Sequence, residues 1–167
     1  MTPLPAPLDG TGLVAWRLDQ AKHAATWDSG EGAYLVGGRW NGKGVRAVYC
    51  SIDPATAILE VAVHKGFKVL DTVPHVLTAI DILDAASVFI VQPAMVPNPS
   101  WLRAGIPSAG QQAFGDALLA RHKFIVIPSV VSTASWNVVF VASQAAGAYS
   151  ARSQESFARD TRLHPPP

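Results

Sequence analysis

The sequence predicts a single domain that mixes helices and strands. Three observations predict it. A chain of 167 residues suits one compact unit with a real core. Its apolar runs are short and bounded by turn residues, the pattern of strands. Two stretches of helical apolar spacing lie among those runs. About half of the residues (49%) are apolar and only 15% are charged, against roughly 25% charged in typical globular proteins. A surface this poor in charge exposes apolar area, which often marks a partner interface.

The elements follow in order. Residues 1–12 are rich in Pro and Gly and have no apolar period to anchor them, so they are expected to form a loose extension. From Tyr34 to Cys50, the pair Asn41-Gly42 predicts a hairpin turn between two extended arms, because Asn-Gly favours positive φ angles. Alternation in the second arm puts Val45, Ala47 and Tyr49 on one face and Arg46, Val48 and Cys50 on the other. Gly37, Gly38, Gly42 and Gly44 allow sharp bends and close backbone approach. On these residues alone, a plain glycine-rich hairpin and a binding loop are both open.

A helix comes next. Ser51 or Asp53 can cap it, Pro54 suits its first position, and its apolar run reaches about Lys65. Thr56, Glu60 and His64 form its only polar stripe, and a helix apolar on nearly every other side packs on more than one side. The Glu60 carboxylate either reaches solvent through a narrow gap, the commoner arrangement, or lines a cleft. His64 reads as a neighbour of Glu60 or an exposed side chain rather than a metal ligand, because no second His or Cys stands at ligand spacing.

Strands are expected near Val76 to Ile82 and Val88 to Val91, followed by a Pro-rich loop from Pro93 to Pro107 that contains Trp101. A second helix is expected from Gln111 to Arg121. The runs Phe124 to Val131 and Trp136 to Val141 read as neighbouring strands, with Pro128 arguing for an edge or a bulge that exposes Ser129. Residues 150–167 again lack an anchoring period, although Phe157 could dock.

Several function classes lose support. A formal net charge of +1 gives no strong field for nucleic acid or anionic membrane. No apolar run approaches the roughly 20 residues that span a bilayer, and the N-terminus lacks a signal-peptide pattern. The single cysteine, Cys50, leaves no internal disulfide and no cluster for structural zinc. A cytoplasmic domain that binds neither nucleic acid, membrane nor metal is therefore expected. The common hydrolase, nucleotide triphosphatase and metallopeptidase motifs are also missing.

What remains is a possible set of a guanidinium (Arg39), a phenol (Tyr49), a carboxylate (Glu60) and a hydroxyl (Ser129). It suits cleavage of an N-glycosidic bond whose leaving group already departs well. Nicotinamide leaves NAD as a neutral molecule from a cationic nitrogen, so no acid is needed. An arginine holds pyrophosphate, a ring face meets the cationic nicotinamide, and a carboxylate stabilises an oxocarbenium-like ribose. Other residue sets would satisfy the same argument.

A resemblance narrows the choice. The segments Gly37-Gly38-Arg39-Trp40-Asn41-Gly42-Lys43-Gly44, Val48-Tyr49-Cys50 and Ala57-Ile58-Leu59-Glu60 resemble the signature of the RES family, named for its Arg, Glu and Ser. Gln112-Ala113-Phe114-Gly115-Asp116-Ala117 and Val126-Ile127-Pro128-Ser129-Val130-Val131 resemble two further family motifs, and Trp16-Arg17 resembles its N-terminal pair. After the Ser motif, Asn137 fits the family pattern, whereas Val141-Ala142-Ser143-Gln144-Ala145 departs from it.

The resemblance implies an α+β fold similar to ADP-ribosyltransferases, with a split, mostly antiparallel sheet and surrounding helices. The domain would span 13–150, between the extension 1–12 and a C-terminal tail 151–167. It further implies a toxin paired with an Xre-type antitoxin that covers the site. NAD would be the substrate, either destroyed or used to ADP-ribosylate a cellular protein, and no metal is needed. Arg39, Tyr49, Glu60 and Ser129 would be catalytic. Arg17, Trp40, Asn41 and Asn137 would join Arg39, Tyr49 and Ser129 in holding NAD. Arg39 would take the phosphates, Tyr49 the nicotinamide and Glu60 the ribose, while Ser129 would position NAD or the strand that carries Arg39. A catalytically inactive antitoxin-binding module is the alternative.

Overall fold

The computed structural model describes residues 12–158 except 102, 104 and 106, together with residue 160. The expected N-terminal extension thus lies almost wholly outside the described residues, as do residues 161–167. In chain order the strands and α-helices are β1 (Leu13–Gln20), α1 (Glu31–Val36), β2 (Ala47–Ser51), α2 (Pro54–Lys65), α3 (Phe67–Thr72) and β3 (His75–Ile82). They continue with β4 (Val88–Ile90), α4 (Ala109–Leu119), β5 (Phe124–Pro128), β6 (Trp136–Val141) and β7 (Tyr149–Phe157). The strands form one seven-stranded sheet in the order β4-β5-β6-β2-β1-β3-β7. Among the described residues only β4 and β5 run parallel, so the sheet is mostly antiparallel, in line with the α+β reading.

Both faces of the sheet are packed. Phe124 and Val126 of β5, with Val138 and Phe140 of β6, enter one core beside Leu13, Ala15 and Ile80. The alternate residues Ile125, Ile127 and Val139 enter a second core with Trp40, Trp101 and Leu119. Burial on both sides explains why these two strands read as continuous apolar runs. A third, smaller core joins Leu18 of β1 to Ala62 of α2 and Leu70 of α3.

The sheet is nearly divided at its centre. β1 pairs with β3 over its whole length, from Leu13↔Ile82 to Gln20↔His75, but it meets β2 only at Trp16↔Ser51. Beyond that pair the two strands part, and this parting opens the cleft described below.

Several expectations are corrected. The segment before Arg39 is the helix α1, ended by Gly37 at φ 77°, and no extended arm precedes the turn. Positive φ falls on Gly37 and Gly44 rather than on Asn41-Gly42, and the tight turn is Arg39-Trp40, closed by the bridge Gly38↔Asn41. Asn41 is used differently: its side-chain amide donates to the carbonyls of Ala33, Gly42 and Val45. Pro128 forms no bulge and ends a strand that is interior to the sheet, although on its β4 side the position is a local edge. The neighbour β4 pairs with β5 only as far as Val126, so the missing N–H of Pro128 breaks no ladder. Ser129, expected to be exposed, is fully buried. Finally, residues 151–157 are no tail: they form most of β7, which pairs with β3 from Tyr149↔Ile82 to Phe157↔His75.

Candidate active site

Helix α2 starts as expected. The Asp53 side chain accepts from Thr56 N at 2.7 Å, with Pro54 in the first helical position. Asp53 also accepts from the hydroxyls of Ser135 and Thr56. Burial opposes its ionisation, but these donors outweigh it and hold the carboxyl below its ordinary range. Asp53 thereby ties the start of α2 to the β5–β6 connection, and Glu60 stands two turns further along the helix.

Glu60 lines the cleft, with its side chain 20% exposed. The Ser129 hydroxyl and the Asn137 amide each donate to its Oε1 at 2.8 Å. Ser51 Oγ donates to Asn137 Oδ1 at 2.9 Å, which fixes the direction of that amide. Ser129 Oγ in turn accepts from Val131 N and Ser132 N, so every bonding capacity of this buried hydroxyl is filled. Glu60 Oε2 lies 3.5 Å from His64 Nε2. Burial favours the protonated form of Glu60. Hydrogen bonds from His64, Asn137 and Ser129 prevail and keep its pKa below the ordinary glutamate value. The carboxylate is thus charged, half-buried and fixed in direction.

Arg39 occupies the turn after α1. Its Nη1 donates to the carbonyls of Trp101 and Arg103 at 3.2 and 3.3 Å, and its Nη2 to that of Gly105 at 3.5 Å. Tyr49 rises from β2 beneath this turn. Its hydroxyl donates to Asn41 Oδ1 at 2.7 Å and accepts from Trp40 N at 3.0 Å. Burial pushes the phenol pKa well up, and it stays neutral. The hydroxyl both donates and accepts within the turn, and Tyr49 lines the cleft. Gly38 is required here, since a Cβ at that position would fall 2.6 Å from Tyr49 Oη.

Arg17 bridges the parted strands. Its Nη1 donates to Tyr49 O at 2.7 Å, where the β1–β2 ladder no longer runs, and its Nη2 pairs with Asp19 Oδ1 at 2.8 Å. The cleft has a volume of about 660 Å³, within the range of small-molecule sites. Arg17, Arg39, Trp40, Tyr49, Glu60 and Asn137 all line it. Ser129 and Asn41 stand behind its walls and orient residues that do line it. Sequence reasoning missed Asp19, whose one signal is its place two residues from Arg17 on the same strand face. Among the described residues no group of three or more His, Cys, Asp or Glu is placed to hold a metal ion.

Comparison with known proteins bears on the family and the fold. A family model described as the RES domain matches residues 14–164. The "Toxin Res" of Photorhabdus laumondii subsp. laumondii is 32% identical over 135 residues, covering 76% of this chain and 80% of that protein. The "Prs ADP-ribosylating toxin" of a Sphingobium species is 32% identical over 134 residues, covering 74% of this chain and 79% of that protein. In fold, the chain is similar to one in the crystal structure of the M. tuberculosis MbcT-MbcA toxin-antitoxin complex. The TM-score is 0.71 at 22% identity, with 90% of each chain covered.

A nearly divided, mostly antiparallel sheet, with a half-buried carboxylate and two arginines lining the gap, defines the class: a single-domain α+β protein with a cleft at the parting of its sheet. The chain belongs to the RES-domain family. The matched region passes the expected boundary at residue 150 and takes in β7.

Proposed function

We propose that this toxin cleaves the nicotinamide–ribose bond of NAD and that an antitoxin covers its cleft. The observation that carries the reading is the Glu60 carboxylate, held ionised by Ser129 and Asn137 in a cleft that Arg39 and Arg17 also line. Two cations suit a pyrophosphate, and the Tyr49 ring suits a flat cationic base. The C1′–N bond breaks with its electron pair moving to the nicotinamide nitrogen, which becomes neutral. Positive charge then grows on the ribose, and a fixed carboxylate stabilises it without reorganising. An acceptor oxygen or nitrogen then forms a bond to C1′ and releases its proton to solvent.

Transfer to a cellular protein is the favoured outcome, supported by the relative from Sphingobium that is named as an ADP-ribosylating toxin. Attack by water or phosphate, with plain loss of NAD, is the second. The presence of the whole set Arg39, Tyr49, Glu60 and Ser129 argues against an inactive module. For the partner, Val63 of α2 is an exposed apolar side chain that lines the cleft, and the exposed Leu35 and Val36 stand in sequence between the lining residues Ala33 and Gly37. Such a margin fits a covering protein, of the Xre type by the family resemblance.

The test is incubation of the purified protein with NAD, with and without phosphate and with cell extract. Small molecules and modified proteins are read by mass spectrometry. Released nicotinamide with ADP-ribose on a protein supports transfer; free ADP-ribose, or its phosphate adduct, supports depletion. Unchanged NAD in all three mixtures contradicts the proposal.

A further inference from the structure

Helix α4 carries side chains that the cleavage reading leaves unused. Gln112 Nε2 donates to Gly38 O at 2.9 Å. Both oxygens of the Asp116 carboxylate accept from Gly42 N at 3.1 Å. Spaced i, i+4, these two side chains stand on one face of the helix. The backbone groups that they hold lie on either side of Arg39, and each bond spans 74 positions of sequence. Between them, Gly115 lets the helix approach so closely that a Cβ there would overlap the Trp40 carbonyl. Phe114 packs near the Trp40 ring, with centroids 6.5 Å apart.

The loop that is held in this way needs holding. Residues 37–44 contain four glycines, so the free segment has much conformational freedom to lose. Tyr49 Oη fixes the loop from one side through Trp40 N. α4 fixes it from the other. No part of α4 lines the cleft among the described residues, so Gln112 and Asp116 do not touch a molecule bound there.

We infer that Gln112 and Asp116 are positioning residues that act through Arg39 on the binding of NAD. The inference rests on Arg39 being a phosphate contact in the proposed reaction. The clamp orders the turn before the substrate arrives; without it, binding itself must order the loop, and affinity falls. Arg39 meets phosphate in the ground state and the transition state alike, so loosening it raises KM and leaves kcat nearly unchanged. A merely structural role for α4 lowers the folded fraction and the melting temperature but leaves the KM of the folded molecules alone.

The experiment measures nicotinamide release against NAD concentration for the wild type, Gln112→Ala, Asp116→Asn, Asp116→Ala, Arg39→Ala and the double variant Asp116→Ala with Arg39→Ala. The wild-type measurement comes first, and a wild type that leaves NAD intact sinks the cleavage reading itself before any variant is compared. Given an active wild type, Gln112→Ala and Asp116→Ala are expected to raise KM about tenfold with kcat within about twofold. Asp116→Asn keeps one acceptor oxygen and is expected to fall between Asp116→Ala and the wild type. Adding Asp116→Ala to Arg39→Ala is expected to change KM little, since residues acting through one another are not additive. If Asp116→Ala fails to fold, Gln112→Ala and Asp116→Asn carry the comparison. Unchanged KM in the folded variants, or a double variant whose losses multiply, overturns the inference.

Discussion

Glu60 and Arg39 line the same cleft but are held in different ways. Glu60 rises from a capped helix of 12 residues. Its Oε1 takes two hydrogen bonds at 2.8 Å from Ser129 and Asn137, which stand at the end of β5 and within β6. Arg39 sits in a glycine-rich turn. Its guanidinium rests against three backbone carbonyls of an irregular segment, at 3.2 to 3.5 Å. The carboxylate is built in advance, as a group must be when it acts on charge that develops only during reaction. The guanidinium makes longer bonds to neutral carbonyls. In the proposed reaction an incoming phosphate offers shorter, charge-assisted bonds, and the arginine is expected to exchange partners on binding. Rigidity lies where chemistry is expected, and exchangeable contacts lie where binding is expected.

The sharpest way to break this contrast is Glu60→Gln, which should cut nicotinamide release by about 10²–10³ in rate while the protein stays folded. Arg39→Ala should cost about tenfold to a hundredfold in NAD affinity and little in turnover, because one charge-assisted contact is lost from both states. A calorimetric titration beside a steady-state assay reads both numbers. Were Arg39→Ala to lower kcat and leave affinity intact, the two roles would be exchanged.

Ser129→Ala separates holding from reacting. The substitution removes a donor to Glu60 and leaves Val131 N and Ser132 N without their acceptor. Denaturant unfolding should record a stability loss of about 1–3 kcal/mol, the cost of buried groups left unpaired. Nicotinamide release should fall less than in Glu60→Gln, since the carboxylate remains. A loss equal to that of Glu60→Gln would make Ser129 a reacting group in its own right.

The smallest expected effect concerns pH. The Glu60 pKa is lowered in the folded protein, so its stabilising contribution is complete above the unfolded pKa and is lost as pH falls through the folded one. Activity should therefore persist on the acid side of the ordinary glutamate range. Asn137→Ala removes one donor and should move the acid limb of kcat/KM upward. A limb that stays in place in this variant would show that Asn137 does not hold the charge.

Much of this contrast was legible in the sequence, though unevenly. The helix bearing Glu60 could be read almost to the residue because cap, proline and apolar run agree: Asp53 caps, Pro54 follows and Lys65 ends it. The choice between solvent and cleft for Glu60 could not be read, because it depends on β5 and β6 arriving from 69 and 77 positions away. The Arg39 turn was misread for a related reason. Asn41-Gly42 has the local chemistry of a hairpin, but the Asn41 side chain is captured by Ala33, Gly42 and Val45, and tertiary bonding overrides the local preference. β1 gave little signal, since Arg17 and Asp19 interrupt its apolar alternation where the strand enters the cleft. β7 is polar along nearly its whole length and mostly exposed, so its pairing with β3 leaves no apolar pattern to find.

The measurement that tests the account most directly pairs two readings on Glu60→Gln: NAD titrated by calorimetry, and nicotinamide released under saturating NAD. Glutamine keeps the volume of the side chain and much of its bonding to Ser129 and Asn137, so folding is preserved. The account predicts NAD binding close to wild type with release lowered by about 10²–10³. Release at the wild-type rate would contradict it, and would leave Glu60 as a polar group that lines the cleft without taking part in the reaction.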